Sequence, residues 1–203
     1  MVQPKTLPQQ VQAQSNSIAT YDYTDIADGT GVRIFYGANT NIGGTNDYIL
    51  TTDASIYSSS RAWEVDGATS TSFDFDLSPF NTPLTAKGTA IFSTGLGRVG
   101  GSIKLTVTLN HVRGATVTAI TSAIDTITWG TSGAIMALIT LPITEQRFQI
   151  GDFLRMTVLM TSTSGGFVEF GFDPIGRDST RGITAANGAT TTMKLNMPFR
   201  IDL

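Results

Sequence analysis

The side chains that could carry out chemistry are few and widely separated in the sequence. His111 is the single histidine and the chain has no cysteine, so a two-histidine metal site and a thiolate nucleophile are both excluded. His111 continues the apolar face of an alternating segment at residues 103–109, and no G-x-S-x-G sequence is present to position a serine nucleophile. We therefore predict a structural role for His111.

Asp74 and Asp76 form the most suggestive carboxylate pair. They are two residues apart between apolar neighbours, so both carboxylates should project from one face of a strand. Such a pair could bind Ca²⁺ or act as the acid and base of a glycosidase, which needs a second carboxylate across a cleft. The glutamates that could supply it are Glu64, Glu145 and Glu169. A solvated strand face is the favoured interpretation, so we predict no catalytic, cofactor-binding or metal-binding residue and no enzymatic activity.

Residues 95–100 match the pattern G-x-G-x-x-G. A dinucleotide-binding motif of this kind needs a helix that begins within the motif, so that its N-terminus faces the pyrophosphate. Here the motif is followed by Gly101, Ser102 and a strand pattern. The glycines are therefore predicted to form a flexible loop between two strands, and no cofactor is expected.

Composition restricts the partners. A net charge of −3 with 14% charged residues leaves no basic surface for the phosphates of nucleic acid. The first fourteen residues are polar, which argues against a signal peptide, and no apolar run approaches the roughly 20 residues of a membrane span. Neither a nucleic acid nor a membrane is expected as a partner.

Short segments with a period of two, separated by Gly, Asn, Asp, Ser and Pro, run through the chain from residue 31 onward. They predict about ten to twelve strands in an all-β fold, an antiparallel β-sandwich of jelly-roll topology. Residues 135–141 are apolar at almost every position, which indicates a central strand covered on both faces.

The clearest strand is the C-terminal segment 193–203, in which Pro198 marks an edge position or a local loss of pairing. The residues expected in the core are Met193, Leu195, Met197, Phe199, Ile201 and Leu203.

The domain organisation follows from where this periodicity stops. Residues 1–24 are predicted to be an extended N-terminal arm, and residues 25–203 a single β-sandwich domain. Residues 173–190 have no clear strand pattern and are long for a simple connection. We predict that residues 1–20 and 173–190 are the principal segments that contact a partner.

Aromatic side chains leave a second possibility open. Stacking on sugars in a lectin-like groove is a known use of such residues, although packing in a core or a subunit interface is more frequent. The candidates are Trp63, Trp129, Tyr21, Tyr23, Tyr36, Tyr48 and Tyr57.

Several phrases resemble those of structural proteins of tailed bacteriophages. They are Asp-Gly-Thr-Gly-Val at 28–32, Phe-Asp-Phe-Asp-Leu-Ser-Pro-Phe-Asn at 73–81 with Lys-Gly-Thr-Ala at 87–90, Gly-Asp-Phe-Leu-Arg-Met-Thr-Val at 151–158, Asp-Pro at 173–174 and Pro-Phe-Arg-Ile-Asp-Leu at 198–203. The resemblance implies a non-enzymatic structural protein located in the virion, with a jelly-roll capsid decoration or cement subunit as the first expectation.

The partners implied by the resemblance are the major capsid protein or other virion subunits. It also implies a homo-oligomer, a trimer by analogy with head-surface proteins. The alternatives are a carbohydrate-binding receptor module, since jelly rolls also form lectins, and a neck or tail component.

Overall fold

A computed structural model describes residues 30–42, 45–100, 102–121, 124–129, 133–162 and 166–200, and the predicted arm at residues 1–24 lies outside these ranges. The described residues contain twelve strands and one 3₁₀ turn, Ala185–Asn187. The strands are β1 Thr30–Ile42, β2 Thr45–Thr51, β3 Ala62–Asp66, β4 Thr69–Leu77, β5 Leu84–Gly100, β6 Ile103–Arg113, β7 Thr116–Ala119, β8 Ile124–Trp129, β9 Gly133–Phe148, β10 Phe153–Ser162, β11 Gly166–Gly171 and β12 Lys194–Arg200. The all-β prediction is confirmed. No helix in the described ranges has the length and apolar character needed to cross a membrane.

The strands hydrogen-bond in the order β3-β11-β5-β12-β1-β2-β4-β10-β6-β7, with β8 attached to β6 and β9 to β5. The described pairs are antiparallel except for a two-residue parallel contact between β2 and β4. Strand β5 pairs along one edge with β9, and along the other with β12 and then β11. Because β4 and β11 are well separated in this order, contact between them requires the sheet to fold over on itself. The ring centroids of Phe73 on β4 and Phe170 on β11 lie 5.8 Å apart, which makes the fold an antiparallel β-sandwich around one apolar core.

The C-terminal strand lies in the middle of a layer, between β1 and β5. Its alternation is confirmed for the four described core positions, since Met193, Leu195, Met197 and Phe199 are all buried. The remaining two, Ile201 and Leu203, lie outside the described residues. Pro198 falls where the register with β5 shifts, between Asn196 and Phe199, so the local loss of pairing is confirmed and the edge position is wrong.

Strand β9 corrects another prediction. Met136 and Leu138 are 41% and 65% exposed, so the strand is not covered on both faces. Their neighbours Ala137 and Ile139 are buried, and β9 pairs with β5 along a single edge in the described sheet. A run of apolar residues does not show whether the same chain covers both faces of the strand that they form.

The glycine-rich segment 95–100 is extended and belongs to β5, so the predicted flexible loop is wrong. The glycines serve close packing. A Cβ atom on Gly95 would collide with the backbone oxygen of Thr190, and one on Gly97 would lie 2.7 Å from an oxygen of Glu169. Residues 173–190 therefore lie directly against the outer face of this strand, and we call them the covering loop.

The covering loop contains no strand, as predicted. It is held to its own domain by side-chain contacts, including a hydrogen bond of 2.6 Å from Arg177 to the carbonyl oxygen of Ser58 and one of 2.8 Å from Arg61 to the carbonyl oxygen of Asp178. Ile183 at its centre is fully buried. Much of the segment that the sequence suggested for docking is thus engaged within the chain.

Candidate functional site

His111 lies at the end of β6 beside the turn that leads into β10. Its Nε2 is 2.8 Å from Oδ2 of the buried Asp152, which also accepts hydrogen bonds from Arg113 and from the backbone N–H of Gln149. The hydrogen bond from Arg113 holds the pKa of Asp152 well below its ordinary value, against the opposing effect of burial. Because an ionised carboxylate can only accept, His111 Nε2 carries the proton in this bond. The arrangement ties β6 to the turn before β10, which is a structural role.

Asp74 and Asp76 do share one face of β4, as the spacing predicted. Arg155 on the neighbouring β10 lies between them, with Nε 2.7 Å from Asp76 and Nη1 3.2 Å from Asp74, and the Thr157 hydroxyl donates to Asp74 at 2.7 Å. Both carboxylates are therefore engaged by cross-strand partners. They border an open cleft of about 580 Å³, and no cluster of three or more His, Asp or Glu side chains in the described part of the chain could hold a metal ion. The geometry offers no free acid and base pair.

The candidate aromatic platform does not form on one surface. The Trp63 ring packs 5.5 Å from that of Phe73, and Tyr48 also packs edge-on against Phe73, so both contribute to the core. Tyr57 is 69% exposed, with the Arg177 guanidinium 3.8 Å from its ring centroid. Tyr21, Tyr23 and the side chain of Trp129 lie outside the described residues.

Two of the three glutamates considered above as partners of Asp74 and Asp76 lie opposite each other instead, beside the covering loop. Glu169 on β11 and Glu64 on β3 are directly opposite in the strand register, and Glu64 is half-buried. Glu169 is fully buried, and its Oε2 accepts a hydrogen bond of 2.9 Å from the backbone N–H of Ile183. Burial raises the pKa of Glu169 and the neighbouring Glu64 raises it further, whereas hydrogen bonds from Ser179 and Ile183 lower it.

The period-two pattern around Glu169 placed its side chain opposite the apolar face, which for an uncovered strand means solvent. The covering loop buries that face instead, and no local sequence signal shows this. Glu64 lines an open cleft of about 620 Å³ next to the pair. The other residues lining that cleft are Ser59, Ser60, Arg61, Ala62 and Thr180.

The two layers of the sandwich present different outer surfaces. Across β1, β12, β5 and β9, the strand register aligns Ile34 with Asn196, Ile91 and Thr140 in one row, and the adjacent row includes Leu138. The large apolar side chains on this surface are between 38% and 65% exposed. We call them the apolar outer face: Val32, Ile34, Ile91, Met136 and Leu138.

The covering loop occupies the adjoining half of the same sheet surface. Ile183 lies over Gly95 and Gly97 on β5, and the Thr190 N–H lies 3.5 Å from the Met136 sulfur at the boundary. On the opposite layer, the outer surface of β4 and β10 carries the Asp74, Asp76 and Arg155 cluster, with Leu159 as its exposed large apolar side chain. The uncovered half of one layer thus carries five exposed large apolar side chains.

Comparison with known proteins shows similarity at the level of structure alone. No protein-family model matches the chain, and no curated protein sequence matches it. Similar solved structures include a CocE/NonD family hydrolase from Staphylococcus aureus (11% identity, 82% of this chain and 36% of that chain, TM-score 0.47). TmCBM61 in complex with beta-1,4-galactotriose (10% identity, 78% and 86%, TM-score 0.34) and infectious bursal disease virus strain Gx (12% identity, 97% and 58%, TM-score 0.24) are also similar.

The chain spans between 25% and 36% of the length of the hydrolases that it matches. At these TM-scores the similarities define neither a family nor a function for the chain.

Proposed function

We propose that this chain is a non-enzymatic structural subunit of a tailed-bacteriophage virion, a capsid decoration or cement protein that docks on neighbouring subunits. The observation that carries the proposal is the apolar outer face. Soluble monomers rarely leave contiguous large apolar side chains exposed unless the surface binds something. The neighbouring half of the same sheet is already covered by the chain's own loop, which shows the kind of apolar packing that the surface accepts.

The occupant we propose is an apolar protein surface on the major capsid protein or another virion subunit. Completing the burial of a half-exposed Val, Ile, Met or Leu side chain stabilises a contact by roughly 1 kcal/mol. Five such side chains therefore contribute about 5 kcal/mol before the entropy lost on association is subtracted. This free energy is small for the docking of a single copy. It is sufficient for a subunit that is repeated over a shell, because several linked contacts bind more tightly than one.

The charged side chains of the described residues also favour docking over catalysis. The ion pairs centred on Asp152 and Arg155 join neighbouring strands and turns, and the Asp173–Arg177 pair lies within the covering loop, so these charged side chains are engaged in the framework. The phrases that resemble phage structural proteins lie largely in strands and turns of this framework, which is where a structural family is expected to retain similarity.

Attachment to particles is the decisive measurement. Leu138→Asp places a charge on the apolar outer face, and co-sedimentation with particles assembled without the protein should fall at least tenfold, because a carboxylate buried at the contact loses its hydration. The thermal midpoint of the isolated domain should hardly change, since Leu138 is exposed.

Leu159→Asp is the matched control, because Leu159 is an exposed leucine on the opposite layer. It should attach normally. Full attachment of the Leu138→Asp variant, or equal losses for the two variants, would show that the apolar outer face is not the contact.

Carbohydrate binding is the second candidate function, and a different observation favours it. The cleft beside Glu64 offers serine hydroxyls and the Arg61 guanidinium for hydrogen bonding. Tyr57, whose ring is exposed, lies two residues before Ser59 of this cleft in the chain. Selective glycan binding that is lost in Tyr57→Ala and Glu64→Gln but kept in Leu138→Asp would favour this function over docking. Trp63 is unsuitable for the test because its ring packs against Phe73.

A further inference from the structure

We infer that Glu64 and Glu169 hold a single proton between them, and that this shared proton keeps the covering loop closed over β5 and β11. The inference is independent of the docking proposal, because the carboxyl pair lies beneath the loop and the apolar outer face lies beside it. It assigns a pH-sensitive lock to the half of the sheet that the chain covers itself.

The site is built around the Glu169 carboxyl group. Oε2 receives the Ile183 N–H from the loop, whereas Oε1 is buried without a hydrogen-bond partner when both carboxyl groups are counted as acceptors. Two glycines leave the space that the carboxyl group fills, since a Cβ atom on Gly97 or Gly182 would lie 2.7 or 2.8 Å from Oε2. One proton between Glu64 and Glu169 gives Oε1 the partner that it otherwise lacks.

No cation in the described structure contacts this carboxyl pair to replace the proton. On β5, the residue opposite Glu169 is Gly97, and the adjacent Arg98 donates through Nε to the carbonyl oxygen of Gly100. Arg181 of the loop pairs with Asp66 of β3, and Arg61 donates to the carbonyl oxygen of Asp178. The charged groups on the elements packed around Glu169 are Glu64 and Asp66 on β3 with Arg61 before it, Lys87 and Arg98 on β5, and Asp173, Arg177, Asp178 and Arg181 in the covering loop.

Loss of the proton places two carboxylates opposite each other, one of them fully buried, which favours opening of the loop. The burial-raised pKa of Glu169 sets the sign. A carboxyl group with a higher pKa in the closed state contributes stability that is complete at low pH and is lost as the pH rises through that pKa. If opening releases one proton, the population of the open loop should grow about tenfold per pH unit. This growth should occur in the pH window between the ordinary pKa of a glutamate and the raised pKa of Glu169.

Amide hydrogen exchange of Gly182 and Ile183 tests the lock in the full chain, after correction for the intrinsic pH dependence of exchange. In the native sequence, protection of both amides should fall about tenfold per pH unit as the pH rises through the window. Glu169→Gln, whose amide can donate to Glu64 while its oxygen still accepts from Ile183, should remain protected with no such slope. Glu145→Gln is the control, because Glu145 forms an exposed pair with Lys87 and should behave as the native protein does.

In the exchange experiment, the inference would be overturned by pH-independent protection in the native protein or by an undiminished slope in Glu169→Gln. Carboxyl-carbon NMR of the native protein tests the inference without a variant. If Glu169 titrated at the same pH as an exposed glutamate, the shared proton would equally be refuted. Restoration of protection at high pH by Ca²⁺ alone would identify the pair as a cation site instead.

Discussion

Replacing Phe199 by alanine should remove a central part of the core. Phe199 is 3% exposed, and its ring centroid lies 5.8 Å from that of Phe80 and 6.3 Å from those of Phe35 and Phe148. A buried Phe→Ala change destabilises by about 3–5 kcal/mol, and lost aromatic pairs add about 0.5–1.5 kcal/mol each beyond buried area. We expect a loss at the upper end of that range, about 4–5 kcal/mol.

Thermal and urea unfolding measure this loss directly. A domain of this size loses about 2–4 °C in its midpoint for each kcal/mol, so Phe199→Ala should melt about 8–20 °C below the native protein. Arg200→Ala is the matched control on the same strand, where the side chain is exposed and the change should stay within about 0.5 kcal/mol. Equal losses for the two variants would refute the reasoning, because a one-residue slip in register exchanges the two faces of a strand.

Two further predictions concern polar packing and the covering loop. Asp152→Asn should lower stability by roughly 1–3 kcal/mol at neutral pH, because Arg113 and His111 lose their charged acceptor. The folded-state pKa of Asp152 is lowered, so its contribution is complete above the ordinary pKa of about 4 and is lost on acidification, and the acid unfolding curve of the variant should be shallower. Gly95→Ala should destabilise by about 1–3 kcal/mol, because the added methyl meets the backbone of Thr190, whereas Ser93→Ala on the same strand face should be nearly neutral in the same unfolding assay.

The strands and their inner faces were accessible from the sequence because their information is local. The alternation at 193–199 and at 103–109 is written in adjacent residues, and the buried side of each strand follows from its period of two. The shared face of Asp74 and Asp76 followed in the same way. The arginine that pairs with them did not, because Arg155 reaches them across a strand pair that joins residues 79 positions apart.

Three features were decided by tertiary contacts between distant segments. The glycines at 95–100 were predicted to form a loop because the local sequence does not show that the covering loop packs against them. That close packing is possible only because glycine has no side chain. The burial of Glu169 does not follow from its neighbours in the sequence, because its cover arrives from residues later in the chain. Strand β9 appeared buried on both faces because apolar residues can be covered by their own chain or left for another.

The sequence by itself thus determined the all-β class and the positions and inner faces of the regularly alternating strands, since each of these depends on neighbours within a few residues. The tertiary structure alone decided which outer faces are covered, which carboxylates meet an arginine and which meet each other. The physical reason is that burial and pKa depend on the distance between groups in space, and in a β-sandwich that distance is set by pairing between strands that lie far apart in the chain.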